Sequence, residues 1–429
     1  MSRVRFEPAG PLRGSLRPPS DKSISHRAAL IAAMGDGETE IVNYLRAADT
    51  ESTLAAVKTV GAEIGSHEIA PVLRIQGVGL RGADPATIDV GNAGTLLRLL
   101  PGWLAGQVGG KWTLDGDESI RRRPVDRIAA PLREMGADLS AREERLPPLE
   151  IRGAELHGIT YEMPIASAQV KSCLLFAGLL AEGETRVIEP APSRDHTERM
   201  LTAAGAEVER DGDAVVVRRA ERLEPRKIFV PTDISSAAFF VVAAVLVGGS
   251  EVKIEDVGVN PTRTGILTVL ERMGAEIERE DGPDLDGEPA ADLVVRSSGL
   301  QATEVGGAEI PLAIDELPLV ALAACFAEGT TTIRDAEELR RKESDRIETV
   351  TAALRALGGS VEPTADGMVI EGTGGLVGGT IESHGDHRIA MLGAVAGLAS
   401  KEGVEVIGMD AAAVSYPGFE ADLSSLLGR

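Results

Sequence analysis

Six times along the chain, an apolar run with helical spacing leads to a glycine and then a short strand-like segment. The six read "AMGDGETEI", "QVGGKWTL", "LAEGETRV", "LVGGSEVKI", "FAEGTTTI" and "SKEGVEVI". Their glycines, Gly37, Gly110, Gly183, Gly249, Gly329 and Gly403, lie 66 to 80 residues apart. Glycine suits the place because helices commonly end with one residue in the left-handed conformation. A second, amphipathic helical signal interleaves with the first. It ends in "VKTVGAEI", "LREMGADL", "LTAAGAEV", "LERMGAEI", "LRALGGSV" and "LSSLLGR", at Gly61, Gly136, Gly205, Gly274, Gly359 and Gly428. Two independent signals therefore give the same count: six repeats of about 70 residues, each with two helices and several strands. One helix of each pair is apolar nearly all round and is expected to be buried. Six units group as three and three, with the break near "RKIFVPTDISSAAFF". Ligand sites favour domain interfaces, so a cleft between two α/β halves is the expected place for one.

The chain has 429 residues, enough for two or three domains. Its 67 acidic against 44 basic residues give a net charge of −23, which argues against a nucleic-acid partner because such proteins carry a basic face. An acidic chain can still hold a local cationic pocket. Cys173 and Cys325 both fall in apolar helical runs and read as buried thiols in a reducing compartment, with no disulfide framework and no zinc spacing. The first ten residues lack the apolar core of a signal peptide. The longest apolar run, 237–249, falls short of the ~20 residues that span a bilayer. A soluble, cytoplasmic protein without a membrane partner is expected.

The informative polar residues stand where the buried helices begin: "SDKSISHR", "GNAGTLLR", "ASAQVKSC", "PTDISSAAFF", "AIDELPLV" and "HGDHRIAM". Ordinary N-capping accounts for Asp233 and Ser235. It does not account for Lys22, Arg27, Gln169, Lys171 and Arg388, since a cation at a helix N-terminus opposes the macrodipole. An anion bound there would remove the conflict, because helix N-termini offer free N–H groups to phosphate or carboxylate. Two loops add cations: "ESIRRRPVDR" with Arg121, Arg122, Arg123 and Arg127, and "LRRKESDRIETV" with Lys342, Glu343 and Arg346. Alone, the second reads as a solvated helix face with Lys342 and Arg346 four apart.

In this order, "SDKSISHR", "GNAGT", "GDESIRRRPV", "SAQVKS", "IDELP", "KESDRI" and "DHRIA" resemble the 5-enolpyruvylshikimate-3-phosphate synthase family, from about residue 8 to the C-terminus. The resemblance implies the enolpyruvyl transferase fold, a two-domain inside-out α/β barrel of six βαβαββ repeats, three per domain. The halves would be residues 21–231 and residues 1–20 plus 232–429, with the active site in the cleft. It also implies transfer of the enolpyruvyl group of phosphoenolpyruvate to the 5-hydroxyl of shikimate 3-phosphate, in chorismate and aromatic amino-acid biosynthesis. No metal or organic cofactor and a monomeric state are expected.

By the same resemblance, Asp315 is the candidate base for the hydroxyl, and Glu343 and Lys22 the proton-transfer groups at the enolpyruvyl carbon. Which acts in which step stays open. Lys22, Gly94, Arg123, Gln169, Arg346 and Arg388 would hold phosphoenolpyruvate. Lys22, Ser23, Arg27, Ser167, Ala168, Gln169, Arg194, Asp315 and Lys342 would hold shikimate 3-phosphate. Arginine suits such oxyanions because its planar fork meets them bidentately. His26, His384 and His387 read as structural. Departures from the family pattern are Ala168 in place of a second serine, Arg194 where some members carry a tyrosine, and Val414 where some carry a lysine. Gly94 stands where an alanine in some members excludes the inhibitor glyphosate, so glyphosate sensitivity is expected.

The nearest alternative is the sister transferase acting on UDP-N-acetylglucosamine. That family usually places a reactive cysteine shortly before "RPV", and here "LDGDESIRRRPV" has none. A noncatalytic anion-binding protein on the same fold would be expected to have lost Asp315, Glu343 or the arginines.

Overall fold

In a computed structural model, residues 2–66, 72–282 and 287–427 are described. Among them, each repeat contributes two main helices, with one further four-residue helical turn at Ile310–Ala313: α1 (Lys22–Met34) and α2 (Ala48–Thr59), then α3 (Gly94–Ala105) and α4 (Asp126–Glu134). Next come α5 (Ala168–Gly178) and α6 (His196–Ala203), and α7 (Ile234–Leu246) and α8 (Gly265–Arg272). The last pairs are α9 (Leu317–Ala324) and α10 (Arg346–Ala356), and α11 (His387–Ala399) and α12 (Phe419–Ser425). The odd-numbered helices are the apolar ones. In α7 every residue from Ile234 to Val245 is buried, and in α9 all eight are. Each buried Leu, Val, Ile or Phe contributes roughly 1.5–3 kcal/mol relative to exposure.

The glycine signals have two different causes. After α2, α4, α6, α8 and α10, residues Gly61, Gly136, Gly205, Gly274 and Gly358 take φ of +90° to +105°. At each, the glycine N–H and the next N–H turn back onto the helix's last carbonyls, as with Gly61 to Lys58 and Ala62 to Val57. These are five copies of one glycine-terminated cap. After the buried helices, the left-handed glycine lies several residues on, in the turn before the strand. Two assignments shift by one: Gly109 and Gly358 have positive φ, not Gly110 and Gly359. Gly428 lies outside the described residues.

Among the described residues there are six small sheets, one per repeat, five of four strands and one of three. Each four-stranded sheet has one parallel pair followed by two antiparallel pairs. In the first, Lys227–Phe229 runs parallel to Glu38–Val42, with Ile228 beside Ile41, and Val72–Gln76 and Glu63–Ser66 complete it. The strand Arg13–Leu16 joins Glu251–Gly258 in the same parallel manner. Arg3–Phe6 pairs antiparallel with Val404–Ile407. Strands distant in sequence thus close both sets of three repeats.

The chain divides into two compact units: residues 20–230 with 284–288, and residues 1–19, 231–283 and 289–429. Each has its own apolar core. Within the first, α3 crosses α5 at Gly102, where a Cβ would lie 2.0 Å from the Cys173 carbonyl oxygen. No side chain fits there, so this glycine sets the helix spacing. Cys173 and Cys325 are free and buried, and burial pushes the Cys325 thiol up to about 12. Among the described residues no helix is long and apolar enough to cross a membrane.

Candidate active site

In the unit 20–230, the starts of α1, α3 and α5 carry the predicted residues. Asp21 caps α1 by accepting from the Ile24 N–H at 2.8 Å, so α1 begins at Lys22. Lys22 Nζ lies 3.5 Å from Asp49 on α2. Arg27, one turn in, is buried and holds the unit together. It donates to Thr197 Oγ1 (2.7 Å), to Ser172 Oγ (3.0 Å) and to the Ser23 carbonyl (3.0 Å). Burial, opposed first by Glu198, lowers its pKa to about 10. His26 meets Thr53 Oγ1 at 2.6 Å, and burial followed by Lys22 and Arg27 lowers its pKa to about 3.

Gly94 opens α3 beneath two arginines. A Cβ there would lie 2.6 Å from Arg123 Nη1 and 3.2 Å from Arg98 Nη1. Arg123 donates to Asn92 Oδ1 at 2.9 Å. Arg98 reaches Gln169 Oε1 at 3.3 Å, and Gln169 Nε2 reaches Thr95 Oγ1 at 3.2 Å, tying the start of α5 to that of α3. Ser167 caps α5 and Ala168 is its first residue. Arg194 stands just before α6, partly buried. Of the other loop arginines, Arg121 pairs with Asp115 and Arg122 with Glu118 on the surface. Lys171 is no ligand candidate. Its fully buried ammonium pairs with Glu189 at 2.9 Å and Glu198 at 2.6 Å, which answers the unfavourable dipole from within the protein.

In the other unit, five predicted residues converge. The run "RKESDRIE" is not one helix face. Lys342 ends a short 3-10 turn, Asp345 caps α10, and Arg346 is its first residue. Both cations still reach one carboxylate, since Lys342 Nζ is 3.4 Å and Arg346 Nη1 3.6 Å from Asp315 Oδ1. The Arg346 side chain is 1% exposed and pairs with Asp386 (2.9 Å) and Glu343 (2.6 Å). Its Nη1 makes no hydrogen bond among the described residues. Burial draws Glu343 towards its neutral form, but Arg346 and then His387 outweigh this and hold its pKa below the ordinary glutamate value. Arg388 donates to the Asp315 carbonyl at 2.9 Å and lies 3.6 Å from Glu316. Asp315 does not cap α9, because Glu316 holds that position. Val414 is exposed.

Sequence reasoning missed Asp49, Asn92, Arg98, Asp386, Glu316 and Arg263. "GNAGTLLR" places Arg98 one turn after Gly94, a helical spacing that could have flagged it. Capping does not account for Ser235: the cap is Asp233, and Ser235 bonds Glu316 instead. Among the described residues there is no group of three or more His, Cys, Asp or Glu that could hold a metal ion.

Helix starts loaded with lysine and arginine on a six-repeat α/β frame are the equipment of a protein that handles small, multiply charged anions. The comparisons give that class a family. The family described as EPSP synthase (3-phosphoshikimate 1-carboxyvinyltransferase) matches residues 6–423. A 3-phosphoshikimate 1-carboxyvinyltransferase of Geobacter sulfurreducens is 50% identical over 432 residues, covering 100% of both chains. One from Synechococcus sp. (strain RCC307) is 49% identical, covering 99% of both. The solved EPSP synthase of Acinetobacter baumannii superposes with a TM-score of 0.91 at 41% identity, over 99% of this chain and 98% of that one. The chain belongs to the EPSP synthase family.

Proposed function

We propose that this chain transfers the enolpyruvyl group of phosphoenolpyruvate to the 5-hydroxyl of shikimate 3-phosphate, releasing inorganic phosphate, as a cytoplasmic monomer in aromatic biosynthesis. The observation that carries the reading is the Arg346 cluster: a buried guanidinium flanked by Glu343 and Asp315, with one nitrogen making no hydrogen bond among the described residues. Buried donors are nearly always satisfied, so such a nitrogen points to a ligand oxygen.

In this reading the functional halves are residues 21–231 and residues 1–20 with 232–429. Lys22, Gly94, Arg123, Gln169, Arg346 and Arg388 hold phosphoenolpyruvate. Lys22, Ser23, Arg27, Ser167, Ala168, Gln169, Arg194, Asp315 and Lys342 hold shikimate 3-phosphate. Arg27 spends three of its N–H directions inside the protein, so it serves that pocket mainly by fixing α1 against α5 and α6.

The chemistry follows from charge. The methylene carbon of phosphoenolpyruvate takes a proton from Glu343 or Lys22, which leaves C2 electrophilic. The 5-hydroxyl attacks C2 as Asp315 takes its proton. The tetrahedral adduct then expels phosphate and returns a proton from the new methyl group, restoring the double bond. Arg346 keeps Glu343 ionised without substrate. An arriving phosphate or carboxylate shares that guanidinium and raises the Glu343 pKa, so substrate binding loads the acid.

The test is phosphate release from phosphoenolpyruvate in chelator-treated buffer, with shikimate 3-phosphate and UDP-N-acetylglucosamine in parallel. Release with shikimate 3-phosphate alone is expected. Release with the nucleotide sugar alone would assign the sister activity, and none with either would leave an anion-binding protein.

A further inference from the structure

Four helix starts of one unit are joined by a buried string of side chains that, Arg388 apart, the substrate assignments leave unused. At the start of α7, Asp233 caps the helix and pairs with Arg263 at 3.2 Å. Arg263, two residues before α8, also donates to Ser235 Oγ at 2.8 Å. The Ser235 hydroxyl donates to Glu316 Oε1, directly before α9. That same oxygen lies 3.6 Å from Nη1 of Arg388, near the start of α11. The order is carboxylate, guanidinium, hydroxyl, carboxylate, guanidinium. Ser235, Arg263 and Glu316 are each at most 4% exposed.

Arg388 stands against the positive end of α11, which resists a cation. Its guanidinium is held there by one carbonyl, that of Asp315, and by the Glu316 charge. In a buried setting a full counter-charge decides the rotamer of a long side chain more than one neutral acceptor does. Glu316 would itself swing were its oxygen not fixed by Ser235, which Arg263 in turn orients.

We infer that Glu316, Ser235 and Arg263 are positioning residues that aim Arg388 at the carboxylate or phosphate of phosphoenolpyruvate, setting affinity for that substrate and not for the phosphorylated sugar acid. The inference rests on the reading that Arg388 binds phosphoenolpyruvate.

The experiment is steady-state kinetics on Ser235→Ala, Glu316→Gln, the double variant and Arg388→Ala, with melting temperatures alongside. Ser235→Ala removes the hydroxyl that links Arg263 to the Glu316 carboxylate. Acting on Arg388 only through Glu316, it predicts a ~2–10-fold rise in the phosphoenolpyruvate KM, and losing the charge itself predicts a larger one for Glu316→Gln. The KM for shikimate 3-phosphate stays within twofold. Residues acting in series are not additive, so the double variant should be no worse than Glu316→Gln. Multiplicative effects, equal rises for both substrates, or a fall in melting temperature with both KM values unchanged would each overturn the inference. If Arg388→Ala raises the phosphoenolpyruvate KM while Ser235→Ala and Glu316→Gln do not, the positioning role fails and the Arg388 assignment stands. If Arg388→Ala leaves that KM unchanged, the assignment and the inference fall together.

Discussion

Gly94→Ala adds one carbon at a helix start where two arginines leave it little room. The new Cβ would stand 2.6 Å from Arg123 Nη1, where ordinary contact begins at 3.4 Å, so that nitrogen must withdraw by about 0.8 Å. Arg98 Nη1, at 3.2 Å, must give by a few tenths of an ångström. Both are ends of flexible side chains, and Gly94 does not occupy a left-handed conformation, so the fold should tolerate the methyl. At a helix start alanine is favoured over glycine by up to ~1 kcal/mol, so the melting temperature should hold or rise slightly. Binding should suffer instead. A guanidinium displaced by nearly an ångström loses much of a charge-assisted hydrogen bond, about 1.5–3 kcal/mol, or roughly 10–100-fold in the KM for phosphoenolpyruvate. The KM for shikimate 3-phosphate should change little. Glyphosate should inhibit the parent at millimolar concentration and low phosphoenolpyruvate, and the variant less. A variant with parental affinity for phosphoenolpyruvate would refute the reasoning, since Arg123 would then not bind through the position that Gly94 keeps open.

Three further outcomes follow from buried charge. Asp386→Asn keeps the cap of α11 but removes the carboxylate facing Arg346. With Glu343 and Asp315 still beside the guanidinium, the loss should be about 2–3 kcal/mol, at or below the low end for a broken buried pair, and Asp386→Ala should cost about 1 kcal/mol more for the cap. Urea unfolding should be followed by circular dichroism, because Trp103 and Trp112 both lie in the other unit. For His26, the folded pKa of about 3 lies below the unfolded value of 6.5. The unfolded chain therefore binds the extra proton first, and stability present above pH 6.5 is lost as pH falls towards 3, by about 2 kcal/mol at pH 5. Tryptophan fluorescence during urea unfolding at pH 8 and pH 5 reads this, and a His26→Asn variant with the same pH dependence would exclude His26 as its source. Glu343→Gln and Asp315→Asn should each lower kcat by ~10²–10⁴-fold; single-turnover phosphate release checks this, and a change confined to KM would reduce either residue to a binding role.

The repeat architecture was legible because its signals are local. Helical periodicity and a glycine just past the helix end need only neighbouring residues, and five of the amphipathic helices close on the same cap. The two misplaced glycines both belong to Gly-Gly pairs, where each member is needed for a different reason. At 109 the backbone is left-handed, whereas at 110 a Cβ would lie 1.9 Å from the Trp112 ring. The pattern demands two glycines and does not say which one turns. The parallel strands Lys227–Phe229 and Arg13–Leu16 close their sheets from about 190 and 240 residues away, and no local pattern specifies such a partner.

For the site, residue type and helix position were legible, and the counter-charges were not. Lys171 and Arg388 look alike in sequence, each a cation in the first turn of an apolar helix. The fold gives Lys171 two carboxylates within 3 Å and buries the ammonium and Glu189 completely, so nothing remains for a ligand to supply to that cation. It gives Arg388 one carbonyl and a carboxylate at 3.6 Å. Arg346 falls between them: three carboxylates surround it, yet one buried nitrogen makes no hydrogen bond among the described residues. In the proposed reading, what separates a structural cation from a binding one is how completely the protein answers its charge and its N–H directions. That depends on residues such as Glu189, Asp386 and Glu316, which reach the cation through the fold, so a sequence reading can nominate the cations but cannot sort them.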